Sequence, residues 1–200
     1  MFEETSYQDV DFRDAQILED TLSGIQFVRC RFDGADFSRI QLNGCRFENC
    51  RFHGTALNGM VAERCVFVNC SFLYANCFAA EFYDCKMTGS SFESASTTAI
   101  RIDRGDWRMT EMVEMDLSGE KISDINFSGA SLRQCRFDKA VLRNCDFTGA
   151  DIRGASFKSA DLRGCTLDQL NLSLADFKGA KIDLTQAVAF AETFGVKVFP

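Results

Sequence analysis

The stretch Phe147-Thr148-Gly149-Ala150-Asp151-Ile152-Arg153-Gly154-Ala155-Ser156-Phe157-Lys158-Ser159-Ala160-Asp161-Leu162-Arg163-Gly164 repeats one five-residue unit: small, polar, large apolar, polar, glycine or polar. Read outward from there, the large apolar position recurs at every fifth residue from Phe12 to Ile182. Of these 35 positions only Ala62, Cys77 and Thr97 lack a large apolar side chain. Phe2 and Tyr7 carry the register back to the N-terminus, and sixteen of the 20 Phe lie in this one phase. The position two residues earlier holds 12 Ala and nine Cys, and twelve of the 14 Gly fall two residues later. A period of five matches neither a helix nor a flat strand. It suits a short extended segment closed by a corner, where glycine supplies a positive φ.

Arranged in rows of 20, the sequence forms columns. One runs Phe12, Phe32, Phe52, Phe72, Phe92, and another Phe27, Phe47, Phe67, with Met87 and Trp107 before Phe127 and Phe147. A third is mostly aliphatic, from Leu22 and Leu42 to Leu142 and Leu162. The unit resembles the A(D/N)LXX consensus of the pentapeptide-repeat family, over residues 2 to 183. The resemblance implies an all-β solenoid, a right-handed quadrilateral β-helix of about nine coils and roughly 43 Å, with coils spaced like neighbouring strands. The small and large apolar residues point inward and each coil adds a core layer. Residues 1–183 form the β-helix, and residues 184–200 form a C-terminal capping and dimerisation segment.

Composition narrows the function. No N-terminal basic-then-apolar signal and no apolar run near the length of a membrane span is seen, so a cytoplasmic protein is expected. Ten Cys fall in the inward phases, with no C-x-x-C, and the single histidine, His53, falls in an outward one. Buried free thiols are expected in place of a metal site or disulfides. Phosphate-binding loops and the nucleophile-elbow motif are absent, and a convex rod offers no evident substrate pocket. The expectation is a protein that is not an enzyme, holds no cofactor and takes no small-molecule substrate. It should act through a surface presented to another macromolecule.

After Ile182 the five-residue pattern stops. Asp183-Leu184-Thr185-Gln186 reads as a helix start with a capping box, and Gly195 as its end. Leu184, Ala187, Val188, Ala191 and Phe194 fall on one helical face, and Val196-Lys197-Val198-Phe199 reads as a strand. These residues are expected to cover the last coil and to form a homodimer interface. A β-helix closed by such a tail resembles the Qnr and MfpA group of the family. That resemblance implies a DNA-mimicking rod, joined through its C-terminal ends, that binds DNA gyrase or topoisomerase IV and protects it from quinolones or toxins.

The net charge of −7 agrees with avoidance of nucleic acid, but it is spread unevenly: residues 1–100 carry 14 acids and eight bases, residues 101–200 carry 15 and 14. Asp11, Asp14 and Asp33, or Glu81 and Asp84, are candidate acidic patches for a partner. Between residues 61 and 83 outward positions turn apolar (Val61, Val66, Val68, Leu73, Tyr74, Phe78, Tyr83), as at a contact site. Residues 97–121 keep the count but lose the consensus, and Glu120, like Asp20, falls in an inward phase. A bulge or loop is expected to turn Glu120 outward, since an unpaired buried carboxylate is costly. The unbroken count sets the chain apart from relatives with large inserted loops.

Overall fold

The computed structural model describes residues 2–199. Every paired strand is parallel to its neighbour and lies one row of 20 away in the sequence. One column of the ladder joins Ser6, Gln26, Arg46, Val66, Lys86, Asp106, Asn126, Asp146 and Thr166. Four five-residue units thus make one square turn of a β-solenoid. The inner positions from Leu22 to Leu172, about seven turns, are buried apart from a few such as Ala95, Thr97 and Glu120. The first coil (Phe12, Ile17) and the last (Phe177, Ile182) are only half-buried at the open ends, so the regular body is shorter than nine coils.

The backbone of one coil is satisfied by its neighbours. The Phe32 N–H donates to the Arg51 carbonyl on the following coil, and the Arg51 N–H donates back to the Cys30 carbonyl on the preceding one. Inward residues then stack on their own kind. Phe12, Phe32, Phe52, Phe72 and Phe92 form a pile of nearly parallel rings with centroids 4.7–5.2 Å apart. Phe137, Phe157 and Phe177 do the same at 4.9 and 5.0 Å. Adjacent piles meet edge to face, as Phe47 and Phe52 do at 68°, an arrangement worth roughly 0.5–1.5 kcal/mol per pair beyond the area buried.

All ten Cys are buried and free, and they do more than fill space. Cys45, Cys65 and Cys85 direct their Sγ atoms at the carbonyls of Leu22, Leu42 and Ala62, 3.3–3.4 Å away. Thr55, Ser90 and Thr110 donate to Phe32, Phe67 and Met87 in the same way at 2.7–3.1 Å. A small side chain at this phase therefore gives an inward carbonyl a second donor. This is why Ser and Thr are tolerated inside a column of Ala and Cys.

Most corners adopt the left-handed conformation, and glycine is not required there. Arg39, Asp84, Asn144 and many other non-glycine residues take φ between 51° and 63°. Gly105 is a different case. It sits in the inward small position at φ +124°, and a Cβ there would collide with the backbone of Cys85. Beside it Trp107, fully buried, stacks on Phe92 at 5.9 Å. The largest inner side chain thus follows the smallest inner residue, and their volumes compensate.

No loop is inserted at residues 97–121. The coil continues through the strand Arg101–Asp106, with Ile102 above Phe82. What changes is the next layer: the strand Lys121–Ser123 pairs upward with Val141–Arg143, in a sheet separate from the one below. Glu120 is half-buried and lies at the mouth of the resulting cleft.

The tail corrects two expectations. The helix Leu184–Thr193 forms with both halves of the Asp183–Gln186 capping box in place. The face that covers the last coil is not the Leu184 face. Phe190 meets the Phe177 ring edge-on at 4.9 Å, Ala189 packs on the core, and Gln186 is buried. Gln186 Nε2 donates to the Leu162 and Cys165 carbonyls at 2.7 Å each, and the Gly164 N–H donates to Asp183 at 3.0 Å. The capping residues of the helix therefore also terminate the solenoid. Residues 196–199 are exposed and not a strand, because the helix already occupies the coil end on which they could pair.

Two glycine substitutions separate conformation from contact. Gly24 also has positive φ, but a Cβ there meets nothing within 4 Å. Gly24→Ala is expected to cost about 1 kcal/mol, the left-handed penalty alone. Gly105→Ala is expected to cost about 3 kcal/mol or more, since backbone must move. Urea unfolding of the two variants against the parent chain reads the difference.

Candidate functional site

The rod offers three candidate surfaces: the acidic patches, the apolar region near residues 73–83, and the exposed tail. At the first, the acids are mostly not free. Asp11 is paired with Arg13 at 2.7 Å, and Asp33 lies 3.2 Å from both Arg31 and Arg51. Glu81 pairs with Arg101 at 3.6 Å and Asp84 with Arg104 at 2.8 Å, in each case its counterpart one coil on. The coil offset places a base directly above an acid, so ion pairs run up the faces as ladders. The Arg104 guanidinium holds the exposed Asp84 carboxyl below its usual range. Asp14 has no ion pair among the described residues. These patches are therefore largely neutralised by alternating charge, which net charge alone does not reveal.

The apolar region is narrower than the sequence suggests. Val61, Val66, Val68, Leu73 and Tyr83 are half-buried along the faces. Tyr83 donates its hydroxyl to Glu81 at 2.6 Å, and this contact raises the phenol above its ordinary pKa. Tyr74 and Phe78 stand out, 68% and 51% exposed, at two successive corners that flank one face. They are the residues of that group fit to meet a partner.

The tail exposes the largest apolar surface. Leu184 is 88% and Phe194 71% exposed, and Val188, Val196, Val198 and Phe199 are exposed as well. Ala187 and Ala191 lie half-buried between them. The face expected to dimerise thus faces outward, opposite to the Phe190 face that seals the coil.

The interior thiols are shut away from solvent. Burial pushes the Cys77, Cys85 and Cys135 thiols up to about 12, far from the thiolate form a nucleophile or metal ligand needs. Among the described residues no group of His, Cys, Asp and Glu is placed to hold a metal ion, and no helix is long and apolar enough to cross a membrane.

The pentapeptide repeats match this chain in eight copies, over residues 21–49, 122–158 and 155–187. No curated protein sequence matches it. Among solved structures, a trypsin-treated point variant of QnrB1, a plasmid-mediated fluoroquinolone resistance protein, superposes with a TM-score of 0.79 at 24% identity, covering 97% of each chain. Full-length QnrB1 gives 0.76 at 23% identity, over 96% of this chain and all of the other. Residues 21–49 and 122–187 thus carry pentapeptide repeats, and the fold agrees with them along the chain.

One ion-pair cluster provides a pH test. Asp161 is buried and accepts from both Arg143 and Arg163 at 2.7 Å. Those contacts, Arg163 first, hold its carboxyl far below the usual range. A carboxyl depressed in the folded state stabilises above its unfolded pKa of about 3.9, and that contribution fades as pH falls below it. With both guanidinium groups half-exposed, Asp161→Asn is expected to cost about 1–2 kcal/mol at pH 7. The gap should close towards pH 2, measured by urea unfolding across pH.

Proposed function

Taking the pentapeptide repeats and their solenoid as premise, we propose that the protein is a cytoplasmic, non-catalytic rod. It binds a type II topoisomerase, DNA gyrase or topoisomerase IV, and alters that enzyme's response to fluoroquinolones or toxins. The observation that carries this reading is the end-to-end correspondence with QnrB1, a fluoroquinolone resistance protein, over 97% of both chains. Binding at the site that normally holds DNA would compete with the duplex or destabilise the drug-trapped complex. The net charge of −7 suits such a cationic site and disfavours binding to nucleic acid itself. Because most carboxylates on the candidate patches are paired, the rod's shape and its exposed Tyr74 and Phe78 carry more of the recognition than a negative stripe would.

Homodimerisation is part of the same reading. The helix places Leu184, Val188 and Phe194 outward, with Val196, Val198 and Phe199 beyond it, and a second copy would bury this surface. The ion-paired ladders favour one alternative, a general adaptor scaffold with no topoisomerase contact.

Purified gyrase supercoiling DNA, with the protein titrated in and with or without a fluoroquinolone, separates the two. Restored supercoiling in the presence of drug is the expected outcome. A folded protein without effect at any concentration would leave the adaptor as the better account. For the dimer, Phe194→Asp is expected to halve the mass seen by sedimentation equilibrium while leaving the solenoid's unfolding unchanged. A mass unaltered by that substitution and by removal of residues 184–200 would exclude the tail as the interface.

A further inference from the structure

The ladder that joins each coil to the next opens most widely at residues 94–100, and more briefly where the turn Leu172–Leu174 replaces the regular coil. Among the described residues, no backbone hydrogen bond links residues 94–100 to residues 113–121. On the same face of the coils below and above the pattern is regular: the Cys77 N–H donates to Ser96, and the Leu117 N–H to Arg136. The equivalent bond from the Thr97 N–H to the Asp116 carbonyl is not made, nor those of Ser94 to Val113 and Ala99 to Ser118. On the upper lip, the Asp116 and Lys121 N–H groups do not reach the Ala95 and Ile100 carbonyls. The bridges agree: Ser96 pairs only with the coil below and Asp116 only with the coil above. The two lips stay joined at their flanks. On one side the Glu111 N–H donates to Ser90; on the other, Gly105 pairs with Ile125 and the Ser123 N–H donates to Asp103 Oδ1.

The gap is a cleft of about 700 Å³. Its lower lip, Ser94-Ala95-Ser96-Thr97-Thr98-Ala99, has no side chain larger than threonine, and Ala95 and Thr97 are half-exposed where other inner residues are buried. Its rim is acidic: Glu93, Glu111, Glu114, Asp116 and Glu120 against one base, Arg133. Glu111 and Asp116 are paired with Arg133 and Arg136, but Glu93, Glu114 and Glu120 have no ion pair among the described residues. These three carboxylates face one opening whose rim holds a single base.

We infer that this cleft binds an extended basic segment of a partner protein, which enters between the two coils as an added strand. Two facing sheet edges with unpaired donors and acceptors are a template for such a strand on both sides. Charge complementarity selects the occupant: Lys or Arg at the outward positions, opposite Glu93, Glu114 and Glu120. Small or β-branched residues at the inward positions suit the low lining of Ala95 and Thr97. The inference stands independently of the topoisomerase reading, and either can fail without the other.

The test uses the full chain and an acetylated, amidated Lys-Val-Lys-Val-Lys-Val-Lys peptide. Titration followed by amide hydrogen exchange is expected to show fast exchange at Thr97, Ala99, Asp116 and Lys121 in the free protein and protection on adding the peptide. The Glu93→Gln/Glu114→Gln/Glu120→Gln variant should weaken binding by about tenfold or more. The Glu-Val peptide of the same length, and a Lys-Val peptide N-methylated at alternate residues, should not bind. Free-protein amides at Thr97 and Asp116 as protected as those of Cys77 and Leu117 would overturn the inference by showing a closed ladder. So would binding indifferent to the three substitutions or to N-methylation, or no binding at millimolar peptide.

Discussion

Each backbone N–H that points along the rod must find a carbonyl on the coil above or the coil below, and the rest of the molecule follows from that constraint. A parallel ladder with a fixed offset forces each residue to lie beside its counterpart one coil on, whatever its type. Inside, this stacks Phe on Phe and Cys on Cys; outside, it sets Asp84 beneath Arg104 and Glu81 beneath Arg101. A single inserted or deleted residue would turn every later side chain to the wrong side. The unbroken five-residue count is thus a condition of the fold and not a by-product of it.

Because coils supply one another's partners, the ends and any interruption are where stability is decided. At the C-terminal end the problem is solved by two residues. Asp183 and Gln186 start the helix and also reach back to Gly164, Leu162 and Cys165. Helix and solenoid are therefore coupled: loosening the cap exposes the last coil's carbonyls and the Phe177 layer together. The helix can then offer its other face to a second molecule without weakening the seal, since Phe190 and Leu184 lie on different sides.

The sequence is a good guide wherever a property depends on one residue and its phase. The solenoid, its aromatic columns, the buried free Cys and the Asp183–Gln186 capping box are all legible in it. Properties that depend on two or more coils are less so. The helix face that covers the rod differs from the expected one, because five apolar residues on one side outweigh, in the sequence, the single Phe190 that fits over Phe177. Tail residues 196–199 have strand-like alternation but no edge to pair with. The acidic candidates Asp11, Asp33, Glu81 and Asp84 look free because their partners lie on the same face a coil away or next along it. Only the chain written in rows of 20 sets Glu81 against Arg101 and Asp84 against Arg104.

The same reasoning explains why the ladder opens where it does. An inner layer is filled by both the small and the large phase, so one weak residue can be absorbed, as Ala62 is between Leu42 and Phe82. At residues 95–99 the small position is Ala95 and the large position is Thr97, with no compensating bulk on that face. One layer higher Met115 and Leu117 are fully buried and packed from above. A thin layer beneath a full one gains little from contact, because dispersion falls steeply with a small gap. Gly105 and Trp107 meet the opposite problem on the opposite face of the coil with large–small compensation, and there the ladder holds through Ile125. The opening therefore lies across the coil from a closely fitted face whose intact ladder still ties the two coils together.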